Sequence, residues 1–254
     1  MITGTIITLN EEANIAECIA SLRRVCDEII VVDSESTDRT VEIARDLGAK
    51  VVVQKYLGDG PQKAFSIQFA TNDWIFSLDA DERLDDAAAA AVKALDLAGT
   101  DQDAFAFRRK NFAGSHWVRA AGFYPDWVTR LYHKSRAGYL PKRAHSSVKA
   151  ERIQKLDAHL VHFTYENYAH WVQRINQLSS RDAWAMYERG VKPSRFAPGL
   201  HALSAFVRKY ILKGGFLQGL DGATVTITTV FHAYMKYLKL IELHEQQGRP
   251  EKKP

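Results

Sequence analysis

Hydrophobic and polar positions in the first hundred residues follow two alternating periods. Thr3-Gly-Thr-Ile-Ile-Thr-Leu9 is a β-rich run without helical spacing, closed by Asn10. Over residues 11–24, Ile15, Ile19 and Leu22 recur at helical spacing instead. Glu28–Asp33 is a nearly unbroken apolar strand, the kind buried on both faces of a parallel sheet. Ser36 or Thr37 is placed to cap a second helix, with Val41, Ile43, Ala44 and Leu47 on it and Gly48 ending it. Residues 50–54 form a third strand, and a helix over 62–70 follows the turn Gly58-Asp-Gly60-Pro61. Trp74–Asp79 is the fourth strand, and an Ala-rich helix covers 85–97. Four strand–helix units predict an α/β fold with a doubly wound, mostly parallel sheet. Right-handed crossovers then bring the strand C-termini to one edge, where such sheets bind ligands. Asn10, Asp33 and Asp79 each stand where a strand runs out, so topology gathers them.

The pattern changes after residue 100. Residues 104–109 read as one more strand, while 115–143 are aromatic and irregular. From Tyr165 onward apolar residues return to helical spacing. Trp171, Ile175 and Leu178 mark one helix; Leu200, Leu203, Phe206, Val207, Tyr210 and Ile211 a second; Phe231, Tyr234, Tyr237, Leu238 and Ile241 a third. The expected division is a catalytic α/β region over 1–160 and a helical C-terminal region over 161–254.

Composition narrows the classes. A chain of 254 residues with 46% hydrophobic and 25% charged residues is an ordinary globular protein, which excludes disorder and disulfide-rich miniproteins. The longest uncharged run near the C-terminus, 222–235, is too short and too rich in Thr to span a bilayer. Residues 1–9 carry no base and acids follow at once, so no secretory leader is read and the expected compartment is the cytoplasm. Cys18 and Cys26 match no metal or redox spacing and read as packing thiols. The net charge of +4 conceals a split. Residues 1–103 hold 20 acids and 9 Lys/Arg, and 104–254 hold 10 acids and 25 Lys/Arg. That pattern suits a cation on the first half and an anionic partner on the second.

The strongest local signal is Leu78-Asp79-Ala80-Asp81-Glu82, a strand delivering two carboxylates into a turn. Mg2+ and Mn2+ take oxygen ligands and share them with a substrate diphosphate; an acidic turn capping the next helix is the alternative. Asp33, followed by Ser34-Glu-Ser36-Thr37-Asp38, can accept hydrogen bonds from a ribose or base, or else belong to a plain capping turn. No GxGxxG follows the first strand and no GxxxxGK[ST] occurs, which removes the dinucleotide and P-loop readings.

The chain resembles inverting glycosyltransferases of family 2 with the GT-A fold, and within them the lipopolysaccharide-core β-glycosyltransferases of the WaaE type. The resemblance is carried by Ile7-Thr8-Leu9-Asn10-Glu11-Glu12, Glu28–Asp33 with Ser34-Glu-Ser36-Thr37-Asp38, Gln62-Lys63, Leu78-Asp79-Ala80-Asp81-Glu82 and Tyr124-Pro125-Asp126-Trp127 through Tyr132. It continues into the tail at Gly214-Gly215-Phe216-Leu217 and Tyr237-Leu238-Lys239. It implies that Thr8, Asn10 and Glu11 line a nucleotide pocket, and that Asp33 binds the uracil or ribose of a UDP-sugar. It further implies Lys63 near the base or diphosphate, Asp79 near the ribose or sugar, and Asp81 on a Mg2+ or Mn2+ ion. Asp126, among aromatic residues suited to a sugar face, is the expected base, with Glu82 its rival; the plainer alternative is that Asp126 pairs with Arg130 four residues on or caps a short helix. His145 is a second candidate for the metal, although relatives follow this His with Glu and this chain has Ser146. Gln62-Lys63 stands where many relatives have Arg-Asn, which exchanges a bidentate fork for a point charge. His159 and His162 read as packing histidines.

Residues 189–220 contain six Lys/Arg and no acid, interleaved with apolar residues at helical spacing. A basic amphipathic segment of this kind lies on an anionic membrane surface. Packing on the catalytic region and contact between copies in a homo-oligomer are the other uses. The expected function is therefore hexose transfer from a UDP-sugar to a lipid-linked glycan, by a peripheral enzyme at the inner face of the cell membrane. A polyprenyl-phosphate acceptor is the alternative within the fold. Nucleic-acid binding through the basic half is the alternative outside it; no reading motif supports that and the acidic half opposes it.

Overall fold

Strands β1 (Ile2–Thr8), β2 (Glu28–Asp33), β3 (Lys50–Val53) and β4 (Trp74–Asp79) pair in parallel, in the order β3-β2-β1-β4. β2 and β4 begin and end where the apolar pattern places them, because both are buried nearly throughout. The computed structural model describes residues 1–141 and 146–247. Helix α1 (Ile15–Arg23) turns Ile15, Cys18, Ile19 and Leu22 inward, as its periodicity requires. Helix α2 (Thr40–Asp46) starts without a side-chain cap: Ser36 and Thr37 lie upstream of its first turn, and Ser36 is held by Asp33 instead. Helix α3 (Asp59–Ser66) begins inside the glycine turn, with Pro61 in its first turn, where a missing N–H breaks no helical bond. Helix α4 (Asp86–Lys93) is capped by Asp85, which accepts from the Ala88 amide.

The remaining strands are β5 (Glu82–Leu84), β6 (Ala104–Ala113), β7 (His116–Trp117), β8 (Asp126–His133), β9 (Gly138–Tyr139), β10 (Val148–Lys149) and β11 (Ile153–Tyr165). The main sheet continues from β4 as β8-β6-β11-β5. β8 runs antiparallel to β4 and β6, and β5 antiparallel to β11. β8 falls in the stretch expected to be irregular. Arg130, Leu131 and Tyr132 are all buried in succession, so the strand never shows the alternation that would have revealed it.

Contacts divide the chain into two units, Met1–Lys110 with Pro125–Thr164, and Asn111–Tyr124 with Tyr165–Pro254. The first is organised around Ile6, Ile19, Leu22, Val31, Phe76, Leu78, Phe107 and Leu131, with Phe76 stacked on Phe107 at 5.3 Å. Each such large side chain contributes roughly 1.5–3 kcal/mol when buried. The second unit holds α5 (Tyr168–Glu188), α6 (Ala197–Phe206) and α7 (Gly219–Gln247). A π-helical turn, Val207–Leu212, and a 3-10 turn, Gly215–Leu217, connect the last two. Trp171, Ile175, Val118 and Val225 pack together, and Tyr165 stacks on Trp171 at 4.4 Å. Lys239 of α7 donates to the Asn176 carbonyl, Ser179 and Ser180 of α5 at 2.7–2.8 Å. Among the described residues no helix is long and apolar enough to cross a membrane.

The start of α7 passes so close to the preceding turn that a Cβ on Gly222 would lie 1.9 Å from the Gly215 carbonyl oxygen. Backbone cannot yield as a side-chain end can. Gly222→Ala should therefore lower stability by about 1–3 kcal/mol, read as a lower urea midpoint at unchanged m-value.

Candidate active site

The parallel register decides which strand ends meet. Thr8 lies opposite Asp33, and Ile7 opposite Asp79, so β1, β2 and β4 finish on one edge. Beyond β1 the chain turns through Asn10, whose φ of +55° lies in the left-handed region that Asn tolerates better than most residues. The Asn10 amide donates to Ser36 Oγ at 2.8 Å, and the Thr37 amide donates to Asn10 Oδ1 at 2.8 Å. Asp33, 1% exposed, accepts from the Ser36 amide at 2.8 Å and from the Ser36 hydroxyl. The Glu11 amide donates to Thr40 Oγ1 at 2.8 Å, and the Glu11 carboxylate accepts from Asn14. These bonds lace the loops after β1 and β2 into one rigid rim. Thr8 Oγ1 at its base is buried with no hydrogen-bond partner among the described residues.

A second group is built on charge. Lys63 Nζ of α3 lies 2.7 Å from Asp79 Oδ1, and Arg130 Nη2 of β8 lies 2.6 Å from Asp79 Oδ2. The same Arg130 nitrogen donates to Glu82 Oε1 at 2.5 Å, and Arg109 Nη1 of β6 donates to that oxygen at 3.0 Å. Arg109 then reaches Asp126 Oδ2 through Nε at 2.9 Å and Nη2 at 2.7 Å. Three cations and three anions thus alternate in one chain: Lys63, Asp79, Arg130, Glu82, Arg109, Asp126. Burial alone pushes the Asp79 carboxyl up, but Arg130 and Lys63 outweigh it and hold the group well below the usual range. Burial likewise opposes the charge on Lys63, and Asp79 restores it. Tyr139 closes the group, accepting from Arg130 Nη1 at 3.0 Å with Lys63 Nζ 5.1 Å from its ring. The next residue along α3, Gln62, is fully buried and donates to Ser34 Oγ, so one helix turn serves both groups.

Glu82, the rival base by sequence, is 0% exposed. Its Oε2 accepts from the Asp79 amide and its Oε1 from two guanidinium groups. It positions its neighbours and has no route to a substrate proton. Asp126 neither caps a helix nor pairs with Arg130; it opens β8 opposite Arg109, with its side chain 29% exposed. Asp81 Oδ2 lies 3.3 Å from His162 Nε2, and the Phe163 amide donates to the Asp81 carbonyl. The ring's Nδ1 is 3.0 Å from Thr164 Oγ1. His162 is therefore no plain packing histidine, a correction that follows from β11 lying beside β5 with His162 opposite Glu82. The pair His159 and His162 in one strand-like run was the signal for it, and the sequence did not say which of the two faces Asp81. Arg109 was missed, and Arg130 was considered only as a partner for Asp126 rather than for Asp79 and Glu82, since a buried arginine in a strand looks like a surface one until its partners are known. His145 lies outside the described residues. Cys18 is the packing thiol expected, buried with Sγ 3.5 Å from the Asp79 carbonyl, and burial raises its pKa well above the ordinary value.

Comparison with known proteins places the chain in a sugar-transferring class. The model of the glycosyl transferase family 2 matches residues 5–163, and the chain belongs to this family; it is a glycosyltransferase. It is 33% identical over 258 residues to an uncharacterized glycosyltransferase of Rickettsia bellii, covering 96% of this chain and 87% of that one. It is 29% identical over 266 residues to the lipopolysaccharide core biosynthesis glycosyltransferase LpsC of Rhizobium meliloti, covering 98% and 95%. Among solved structures, the mannosyltransferase PcManGT of Pyrobaculum calidifontis, in complex with GDP-Man and Mn2+, superposes with a TM-score of 0.51 at 18% identity. That likeness covers 94% of this chain and 86% of the other, and with the sheet topology it establishes the GT-A fold.

Removing the Glu82 carboxylate leaves Arg130 and Arg109 facing each other across a buried gap. Glu82→Ala should cost about 3–5 kcal/mol, measured by chemical unfolding. Asp79 contributes stability that is complete above its unfolded pKa near ~3.9 and is lost as pH falls toward its depressed folded value. Acid unfolding of Asp79→Asn should therefore be shallower below about pH 4 than that of the wild type.

Proposed function

We propose that the protein transfers a hexose from a UDP-sugar, with inversion at the anomeric carbon, to a hydroxyl of a lipid-linked glycan such as a lipopolysaccharide core. The observation that carries this reading is the pairing of Asp81 with His162 in the turn that also holds Asp79. The supporting likeness is the one to LpsC over nearly the whole of both chains.

The donor set fits a divalent ion. Asp81 and His162 offer one carboxylate oxygen and one imidazole nitrogen, types that Mg2+ and Mn2+ accept. Among the described residues no group of three or more His, Cys, Asp or Glu could hold a metal; an ion held by Asp81 and His162 would share oxygens of the substrate diphosphate and water. When bound, the ion would neutralise charge gathering on the leaving UDP. Thr8, with its partnerless buried hydroxyl, and Asn10, Glu11 and Asp33 form the nucleotide rim; an incoming donor group would satisfy Thr8 Oγ1. Lys63 and Asp79 stand inside the charge chain, where Asp79 can meet the ribose or sugar and Lys63 holds it in place.

Asp126 takes the proton from the acceptor hydroxyl as its oxygen attacks the anomeric carbon and the bond to the diphosphate oxygen breaks. Arg109, gripping Asp126 through two nitrogens while anchored on Glu82, fixes the direction of that carboxylate. Asp126→Asn should lower turnover by about 100- to 10,000-fold with a hydroxyl acceptor. A loss of only a few-fold would instead point to a polyprenyl-phosphate acceptor, which arrives ionised. Calorimetric titration of UDP should show binding strengthened by Mn2+ in the wild type, and no such strengthening in Asp81→Asn or His162→Ala. Absence of UDP binding in every condition would remove the reading.

A further inference from the structure

We propose that the second unit carries a membrane-docking surface, formed by α6 and the turns that follow it, and that its partner is an anionic lipid bilayer. The purpose of this surface rests on the proposed lipid-linked acceptor; its physics does not.

Helix α6 is packed in the reverse sense for a globular protein. It buries Ala197, Pro198 and Ala205 and turns its large apolar side chains outward. Leu200 is 63% exposed and Leu203 60% exposed, with Phe196 just ahead of the helix at 78%. Phe196, Leu200, Leu203, Val207 and Ile211 succeed one another at spacings of four and three, which forms a single stripe. The chain then breaks at Gly214, with φ of +66°. The turns on either side carry Leu212 at 74%, Leu217 at 76% and, beyond them, Leu220 at 78% exposure. Phe206 stacks on Tyr210 at 5.1 Å, and Tyr210 lies 6.0 Å from Phe216, so aromatic rings tie the helix to the turn. A groove of about 340 Å³ between α6 and α7, with Phe206, Ile227, Phe231 and Tyr234 in its walls, extends the apolar area. Exposed apolar side chains clustered in one segment in this way mark an interaction site.

Charge selects the occupant. Residues 189–220, which contain this stripe, include six Lys/Arg and no acid. Lys209 is partly committed within the fold, donating to the Ala121 carbonyl at 2.8 Å. A second copy meeting the same patch would bring like charges together, which an isologous interface disfavours. An anionic leaflet offers phosphate to the bases and hydrocarbon to the leucines at once. No described helix is long and apolar enough to cross, so the segment lies in the interface.

The test is sedimentation of the full chain with vesicles of phosphatidylcholine, with and without about one-third phosphatidylglycerol. The wild type should partition onto the anionic vesicles, less onto the neutral ones, and less as salt rises. Leu212→Ser with Leu217→Ser should reduce partitioning at least about tenfold. Arg208→Gln with Lys213→Gln should reduce it by about 30-fold at low salt, at roughly fivefold per charge. UDP binding, measured on the same preparations, should be unchanged in both variants, which separates this proposal from the donor reading. Failure of the wild type to bind either vesicle, or equal binding by wild type and variants, would overturn it. A dimer in light scattering that Leu212→Ser with Leu217→Ser dissociates, without vesicle binding, would assign the face to a second copy instead.

Discussion

The buried carboxylate of Glu82 is the point on which the rest of the active-site region depends. It is wholly removed from solvent, and its two oxygens engage the guanidinium groups of Arg130 and Arg109 and the amide of Asp79. Those three partners come from three different strands, β8, β6 and β4. A buried charge without partners is expensive, so each arginine must stay where Glu82 can reach it. The chain of opposite charges from Lys63 to Asp126 therefore acts as a frame. Flexibility at any one member would leave its neighbours unpaired in a poorly solvated place.

This frame explains how a mostly parallel sheet, which ends in loops, supplies rigid chemistry. Asp33 is held by its own turn through Ser36, and Asn10 by hydrogen bonds that cross from the loop after β1 to Ser36 and Thr37 in the loop after β2. Asp79 and Asp126 are held instead by ion pairs, Asp79 with Lys63 and Arg130 and Asp126 with Arg109. The two mechanisms suit two tasks. In the proposed mechanism the loops after β1 and β2 form the nucleotide rim, whereas the carboxylate proposed to abstract a proton must be aimed within a fraction of an ångström. Arg109, in contact with Asp126 and Glu82 together, would supply that aim.

The second unit follows a different logic. Its interior relies on Trp171 and its neighbours and on the four contacts of Lys239, while α6 contributes mainly Ala and Pro to the buried side. Large apolar residues kept out of a core contribute no burial energy to the fold, and clustered on a surface they favour a partner that covers them. Their coincidence with a stretch free of acids makes that face chemically specific.

Strands β2 and β4 were legible in the chain to the residue, because burial on both faces leaves an unbroken apolar run that no surface constraint interrupts. The gathering of Asn10, Asp33 and Asp79 at one edge was legible too, since right-handed crossovers leave little choice. Strand β8 was not, because Arg130 is buried in succession with Leu131 and Tyr132, which erases the alternation. The nature of Glu82 and His162 was equally hidden. Glu82 looks like a third member of an acidic turn, yet it is the buried anchor, and His162 reads as packing until β11 is set beside β5. Parallel pairing and hydrophobic period are properties of neighbouring residues along the chain, so sequence alone determines them. Which charges meet depends on strands brought together from 50 or so residues away, as with Arg130 and Asp79. Only tertiary structure decides that, because an ion pair is a property of distance in space.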